Sequence, residues 1–380
     1  MSKAHDRGEK WPVRPTTDQA RDDTTPTAPG GPWTPSRRLA RRAREVAPGT
    51  VLALAVPAAA TPLGALVPVI GGPVFGIVLG IVVGVFLRPG ARLRPGLDVA
   101  ARPVLQTSIV VLGATLSLGQ VAAVGLGSLP VMLSTLAVAL LGAWGLGRLL
   151  GVRGDTGLLI GVGTGICGAS AIAATSAVLR PREHEVAYAI GTIFTFNVLA
   201  VLTFPPLGHA LGMDGQAFGL WAGTAVNDTS SVVAAAYSFG DSAGPAAVVV
   251  KLVRTLMIIP IVMVLAVWAA RRDAASSPAG EQGGPARRRR LPWRRIVPPF
   301  LVGFLVASAL DTVGVVPASW HAGLSAVGTF LITTALAGIG LGLRPADMRR
   351  AGLRPLALGA CLWVLVAVSS LGLQELTGTL

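Results

Sequence analysis

Two short runs in this chain gather glycine with hydroxyl, thiol, amide and acid side chains inside long apolar regions: Gly163-Thr-Gly-Ile-Cys-Gly-Ala-Ser170 and Gly223-Thr-Ala-Val-Asn-Asp-Thr-Ser230. Three glycines loosen or break a helix in the first run, and the Ala-rich continuation to Ser176 restarts one. A restarted helix presents free N–H groups and a positive dipole end, which suits an anion, and Thr164 and Ser170 add hydroxyl donors. The plainer reading of the same residues is close helix packing through small side chains. In the second run, Asn227-Asp228-Thr229-Ser230 sets a carboxylate in an apolar stretch, at a cost of about 2–3 kcal/mol or more in a membrane. Asp228 could take up a coupling proton, coordinate Na⁺ or pair with a cation; its plainer role is an N-cap. Lys251 and Arg254 are such cations, three residues apart on one helix face that continues to Pro260. They either snorkel to the headgroups, or face inward, balance Asp228 and hold an oxyanion, for which the Arg fork is shaped. Gln106 and Asn197 read as interhelical hydrogen-bonding groups.

These residues need positioning elements, and the composition says what kind. The chain is 52% hydrophobic and 13% charged, with a mean hydropathy of +0.65, whereas a soluble domain carries about twice that share of charge. Apolar segments fall at 50–67, 71–87, 103–118, 129–147, 156–179, 186–207, 216–238, 243–270, 296–312, 319–343 and 355–374. Most approach the length that crosses a bilayer as helix, and none alternates as barrel strands do. The expected class is therefore all-α: a polytopic membrane protein of about 9–11 helices. Irregular backbone at membrane depth is tolerated only where protein or a water-filled cavity satisfies it, and paired interruptions point to a secondary transporter's binding site.

Charge sets the topology. Of the basic groups behind the net charge of +14, the arginines cluster at segment ends: Arg37 to Arg44, Arg88 to Arg102, Arg148 with Arg153, eight in 271–295, and Arg344 to Arg354. Loops 119–127 and 313–318 have none. This pattern fits membrane anchoring rather than nucleic acid, and puts the N-terminus in the cytoplasm and the C-terminus outside. Arg180-Pro-Arg-Glu-His-Glu185 would fall on the wrong side if 156–179 crossed fully. Nine spans with 156–179 and 216–238 as opposed re-entrant segments satisfy the rule better than eleven spans. The domain reading is a disordered basic tail 1–48, a first membrane part 49–270, an Arg-rich cytoplasmic linker 271–295 and a second membrane part 296–380.

A repeat supports this architecture. When Gly113 is laid on Gly338, Leu116, Leu118, Gly127, Pro130, Leu133, Leu140, Leu146 and Gly147 fall without gaps on Leu341, Leu343, Gly352, Pro355, Leu358, Leu365, Leu371 and Gly372. An odd number of crossings separates the copies, so they are expected to run in opposite directions, as inverted repeats do. Enzyme chemistry finds no foothold in the pattern. Cys167 and Cys361 belong to no metal or redox spacing, and His5, His184, His209 and His321 are scattered.

The first run, the Gly223–Ser230 run, the Lys251-x-x-Arg254 pair leading to Pro260 and the Leu341-to-Pro355 stretch together resemble the signature of the YeiH-type family, bacterial multi-pass membrane proteins described as sulfate exporters. The resemblance covers about residues 50–375; the long polar N-terminus and the Arg-rich insert at 273–292 depart from it. That family is in turn similar to inverted-repeat cation/proton antiporters and bile-acid-type symporters. It implies a core with broken elements moving against a scaffold. The resulting expectation is an ion-coupled transporter of the bacterial plasma membrane, exporting a small anion such as sulfate or a sulfonate. Gly163, Thr164, Cys167, Gly168, Ser170, Gly223, Thr224, Asn227, Thr229, Ser230, Lys251 and Arg254 would hold the substrate, and Asp228 would carry coupling. Expected partners are the anion, H⁺ or Na⁺, and lipid, with a homodimer left open and no nucleic acid, metal or cofactor. The rivals are a cation/proton antiporter using Asp228, and a non-transporting membrane subunit or sensor.

Overall fold

Every described residue that belongs to a regular element is helical, as the apolar runs lead one to expect. The computed structural model describes residues 35–66, 71–87, 89–152, 154–276, 299–342 and 352–380. The tail 1–34, the stretch 277–298 with most of the expected linker, and Arg88, Arg153, Arg344, Arg349 and Arg350 lie outside them. Met1–Arg42 forms one unit and Ala43–Leu380 another. The first is described only from Pro35, where it is helical; Arg and Ala dominate 35–48 and favour helix.

In chain order the helices are α1 (Pro35–Leu66), α2 (Gly71–Leu87), α3 (Arg94–Val99), α4 (Leu105–Gly113), α5 (Leu118–Leu149), α6 (Thr156–Gly165), α7 (Ala169–Leu179) and α8 (Glu183–Ala210). There follow α9 (Gly215–Ala225), α10 (Thr229–Phe239), α11 (Ala243–Leu256), α12 (Ile258–Ser276), α13 (Pro299–Thr312), α14 (Ala318–Gly342) and α15 (Leu353–Thr377). A π segment at Ala100–Val104 joins α3 to α4 around Pro103, whose missing N–H disrupts the ordinary ladder. Among the described residues five helices are long and apolar enough to cross a membrane: Leu118–Leu149, Glu183–Ala210, Ala243–Ala269, Ala318–Gly342 and Leu353–Thr377.

The segment 156–179 does not run straight. At the entrance to α6, the Asp155 N–H donates to Glu185 Oε1 at 3.2 Å, at the start of α8. Deeper in, Gly163 and Gly168 both lie against Ile193, so α6 runs parallel to α8. The helix then turns back, with Ile172 of α7 against Gly163, and exits at Leu179, four residues before α8 begins. The segment 216–238 repeats this from the other end of α8. Gly215, Gly219 and Gly223 of α9 lie against Ser242, Ala246 and Val250 of α11, so the two run parallel, and α10 returns to the point where α11 starts. Phe218 and Phe239 stack at 4.0 Å beside Gly208, near the C-terminal end of α8. Both segments are thus helical hairpins, and they start from opposite ends of α8, as the reading with two opposed re-entrant segments expects.

The repeat copies meet directly and run antiparallel. Gly147 of α5 lies near Leu358 of α15, and Gly142 lies near Leu362 and Leu365. Likewise Leu112 of α4 meets Gly328 of α14, while Ala100 meets Gly338. Around them α2 lies close along α14, its Gly76, Gly80 and Gly84 facing Thr333, Ala337 and Leu341; a Cβ at any of the three would run into backbone or side chain. Apolar clusters fill the spaces between helices. One joins α8 to α11 and α15 around Phe204, Phe218 and Trp221, and another packs α5, α6, α7 and α12 around Ile166 and Ile258.

Candidate functional site

Both hairpins turn beside the middle of α8. In the first, α6 ends at Gly165, Ile166 takes φ −121° and ψ −91°, and Gly168 takes φ 66° and ψ −130° before α7 starts. Only glycine adopts that last conformation without strain, and there is no room for more: a Cβ on Gly168 would touch Asp228 at 3.3 Å. The second hairpin turns without positive φ. Val226 and Asp228 are extended, at ψ 135° and 145°, and Asp228 caps α10 by accepting from Ser230 N–H at 3.1 Å and from the Ser230 hydroxyl. Here side chains that bond their own backbone end the helix, where glycine did so in the first hairpin. The Asp228 N–H donates to Asn197 Oδ1 of α8 at 3.2 Å, fixing the second turn to the central helix.

A helix end leaves its last carbonyls without partners, and inside a membrane each needs a donor. Five consecutive carbonyls at the first turn, Val162 to Ile166, each have a donor. Val162 and Gly163 accept from Ile166 and Gly168 N–H. Thr164 accepts from Arg254 Nη2 at 3.4 Å, Gly165 from Arg254 Nε at 2.5 Å, and Ile166 from Lys251 Nζ at 2.8 Å. The same Lys251 ammonium donates to the Val226 carbonyl of the second turn, also at 2.8 Å. One side chain of α11 therefore ties the two hairpins together. Lys251 and Arg254 are both fully buried, so they do not snorkel.

Their donors also go elsewhere than expected. The balance of Asp228 by these cations is not made through a hydrogen bond; the carbonyls take Nζ and Nε, while Asp228 is held by α10's own first turn. Arg254 Nη1 and Asn227 Oδ1 are buried without a partner. The remaining expected residues divide. Thr164, Cys167, Gly163, Gly168, Gly223, Thr224 and Asn227 are buried at the turns, and Asp228, Thr229 and Ser230 are half-buried. Ser170 is exposed on α7, outside the buried junction. Thr224 points into α15, its hydroxyl 2.7 Å from that of Ser370, which in turn accepts from Gln374 Nε2 at 3.3 Å. Ser370 and Gln374 escaped the sequence reading, although two polar residues four apart in an apolar helix were the available signal. Gln106 is exposed and takes no part.

The charges can be summed. Two helix C-termini, of α6 and α9, and two N-termini, of α7 and α10, meet here, and their partial charges of about half a unit each cancel. Two basic side chains and one acidic one remain, so basic groups exceed acidic ones by one at the turns. Gly168 gives α7 no side-chain cap, unlike Asp228 on α10. Beside the turn, a small cleft of about 20 Å³ between α2, α8, α10 and α14 is apolar except for Ser230 and Ser231.

The chain belongs to the family described as Conserved hypothetical protein 698, whose sequence model matches residues 48–359. A UPF0324 membrane protein of Streptococcus pyogenes serotype M3 is 39% identical over 335 residues, covering 86% of this chain and 96% of its own. One from Fusobacterium nucleatum is 37% identical over 350 residues, covering 87% and 98%, and one from Streptococcus pneumoniae strain R6 is 40% identical over 324, covering 83% and 93%. No solved structure matches the chain. The family is one of bacterial membrane proteins, and both hairpins and the Lys251–Arg254 pair fall within the matched region.

Proposed function

We propose that the chain is an ion-coupled secondary transporter of a small anion, sulfate or a sulfonate being the leading candidates, and that it exports this anion across the plasma membrane. The observation that carries the reading is the meeting of two opposed helical hairpins around two buried cations and one carboxylate. Burying such charges and unwound backbone is costly, and membrane proteins keep them where a solute is handled. A sulfonate at the turns, or sulfate entering with one proton, would cancel the excess positive charge, with the free Arg254 Nη1 and the uncapped α7 N-terminus as donors. Rocking of the hairpin-bearing helices against the α2–α14 side would expose the turns alternately to each face. In this reading the α6–α7 hairpin enters from the cytoplasm and the C-terminus is outside.

One observation favours a second reading, cation/proton antiport. Asp228 is half-buried while both cations are enclosed, so the carboxylate is the charged group within easier reach of a solute. Flux into proteoliposomes separates the two. Arg254→Ala is expected to cut oxyanion flux by about 10–100-fold, the worth of a charge-assisted hydrogen bond. Na⁺- or K⁺-dependent proton flux that is lost in Asp228→Asn, with no oxyanion flux, would establish the second reading instead. A folded protein that moves no tested solute would overturn both.

A further inference from the structure

We propose that Lys251 is the site's resident cation and its proton carrier: its ammonium fills the place a coupling metal ion would take, so that coupling runs on H⁺ through Lys251 and not on Na⁺ or through Asp228. The inference rests on the transporter reading and names its coupling group. Unwound carbonyls and half-helix C-termini at a broken element are the ligands that hold Na⁺ in many transporters. Here the two such oxygens that converge, of Ile166 and Val226, each lie 2.8 Å from Lys251 Nζ. A sodium ion between them would have to displace a tethered cation and sit a helical turn from Arg254 as well.

The ionisable groups facing Lys251 are Arg254 on its own helix, Cys167 from the first turn and Asp228 from the second. Asp228 is engaged as the cap of α10, accepting from Ser230 N–H and Oγ at Oδ2, whereas Lys251 reaches the carbonyls of both hairpins. Loss of one proton from Lys251 to water on the open side leaves a neutral amine. That amine no longer offsets two helix C-termini, and the tie between the hairpins loosens; a proton taken up from the other side restores it. Arg at the same position stays charged at every accessible pH and would hold the tie permanently.

Amide hydrogen exchange of the whole purified chain, corrected for intrinsic rates, tests this without any substrate. In wild type, peptides covering 163–170 and 223–230 are expected to lose protection about tenfold between about pH 6 and pH 9.5, with no response to NaCl substituted for choline chloride. Lys251→Arg should remain protected throughout, and Lys251→Gln should be unprotected at both pH values. Protection that rises with Na⁺, or wild-type and Lys251→Arg profiles that coincide, would overturn the proposal. If Lys251→Arg does not fold, a pH-independent wild type alone is enough to reject it. A transporter with no measurable flux but the expected exchange pattern would fault the transport reading and leave the Lys251 lock standing.

Discussion

At the scale of single residues, the junction is a problem in supplying donors. Three consecutive carbonyls, Thr164 to Ile166, and the Val226 carbonyl depend on two side chains. Replacing Lys251 by Met removes the charge and leaves two buried oxygens without donors, at about 1–3 kcal/mol each. The expected result is a lowered thermal midpoint in detergent, larger than for Met at any lipid-facing position. Gly168→Ala is expected to be as damaging for a different reason. It forces a Cβ into φ 66° and against Asp228 at 3.3 Å, so the hairpins must separate. Flux assays should show near-complete loss, while Gly212→Ala, also at positive φ but with open space around it, should transport normally. The sequence made the chemistry of these residues legible but not their partners. Lys251 and Arg254 stood out as cations in an apolar run, and the acid Asp228 was their natural counter-charge. Main-chain carbonyls are the same at every position and leave no mark in a sequence, so the bonds to Ile166 and Val226 could only emerge once the turns were built.

At the scale of elements, each hairpin has its own way of being held. The second is clamped by rings: Phe218 on Phe239 at 4.0 Å, Phe204 on Trp221 at 4.2 Å, and Trp221 Nε1 donating to the Ala367 carbonyl of α15 at 3.1 Å. The first is packed through small and aliphatic side chains, such as Gly161 on Ala143 and Gly163 on Ile172. Trp221→Ala should therefore cost about 3–5 kcal/mol, seen as a lowered unfolding midpoint, and should loosen exchange in α9 and α10 before it does so in α6 and α7. Helix positions were readable from apolar runs, and the mixed-charge loop at Arg180–Glu185 favoured re-entry. What composition could not convey is that Glu185 serves as the lock at that entrance, accepting from both Asp155 and Arg182 N–H. Its burial depends on a contact thirty residues away in the chain.

At the scale of the whole molecule, the gap-free match of 113–147 on 338–372 proves to be a pair of antiparallel neighbours, α5 on α15 and α4 on α14. Between the two copies in chain order lie two hairpin–helix units, α6–α7 with α8 and α9–α10 with α11–α12. Opposed entry of the hairpins is the claim on which the rest depends, and sidedness labelling tests it most directly. In a background with Cys167→Ser and Cys361→Ser, single cysteines at Asp155, Glu183, Gly212 and Asp241 would be challenged in intact cells with a membrane-impermeant maleimide. The account predicts that Asp155→Cys and Glu183→Cys share one face and that Gly212→Cys and Asp241→Cys share the other. Labelling of Asp155→Cys and Glu183→Cys from opposite faces would mean that 156–179 crosses the bilayer, and would contradict the account.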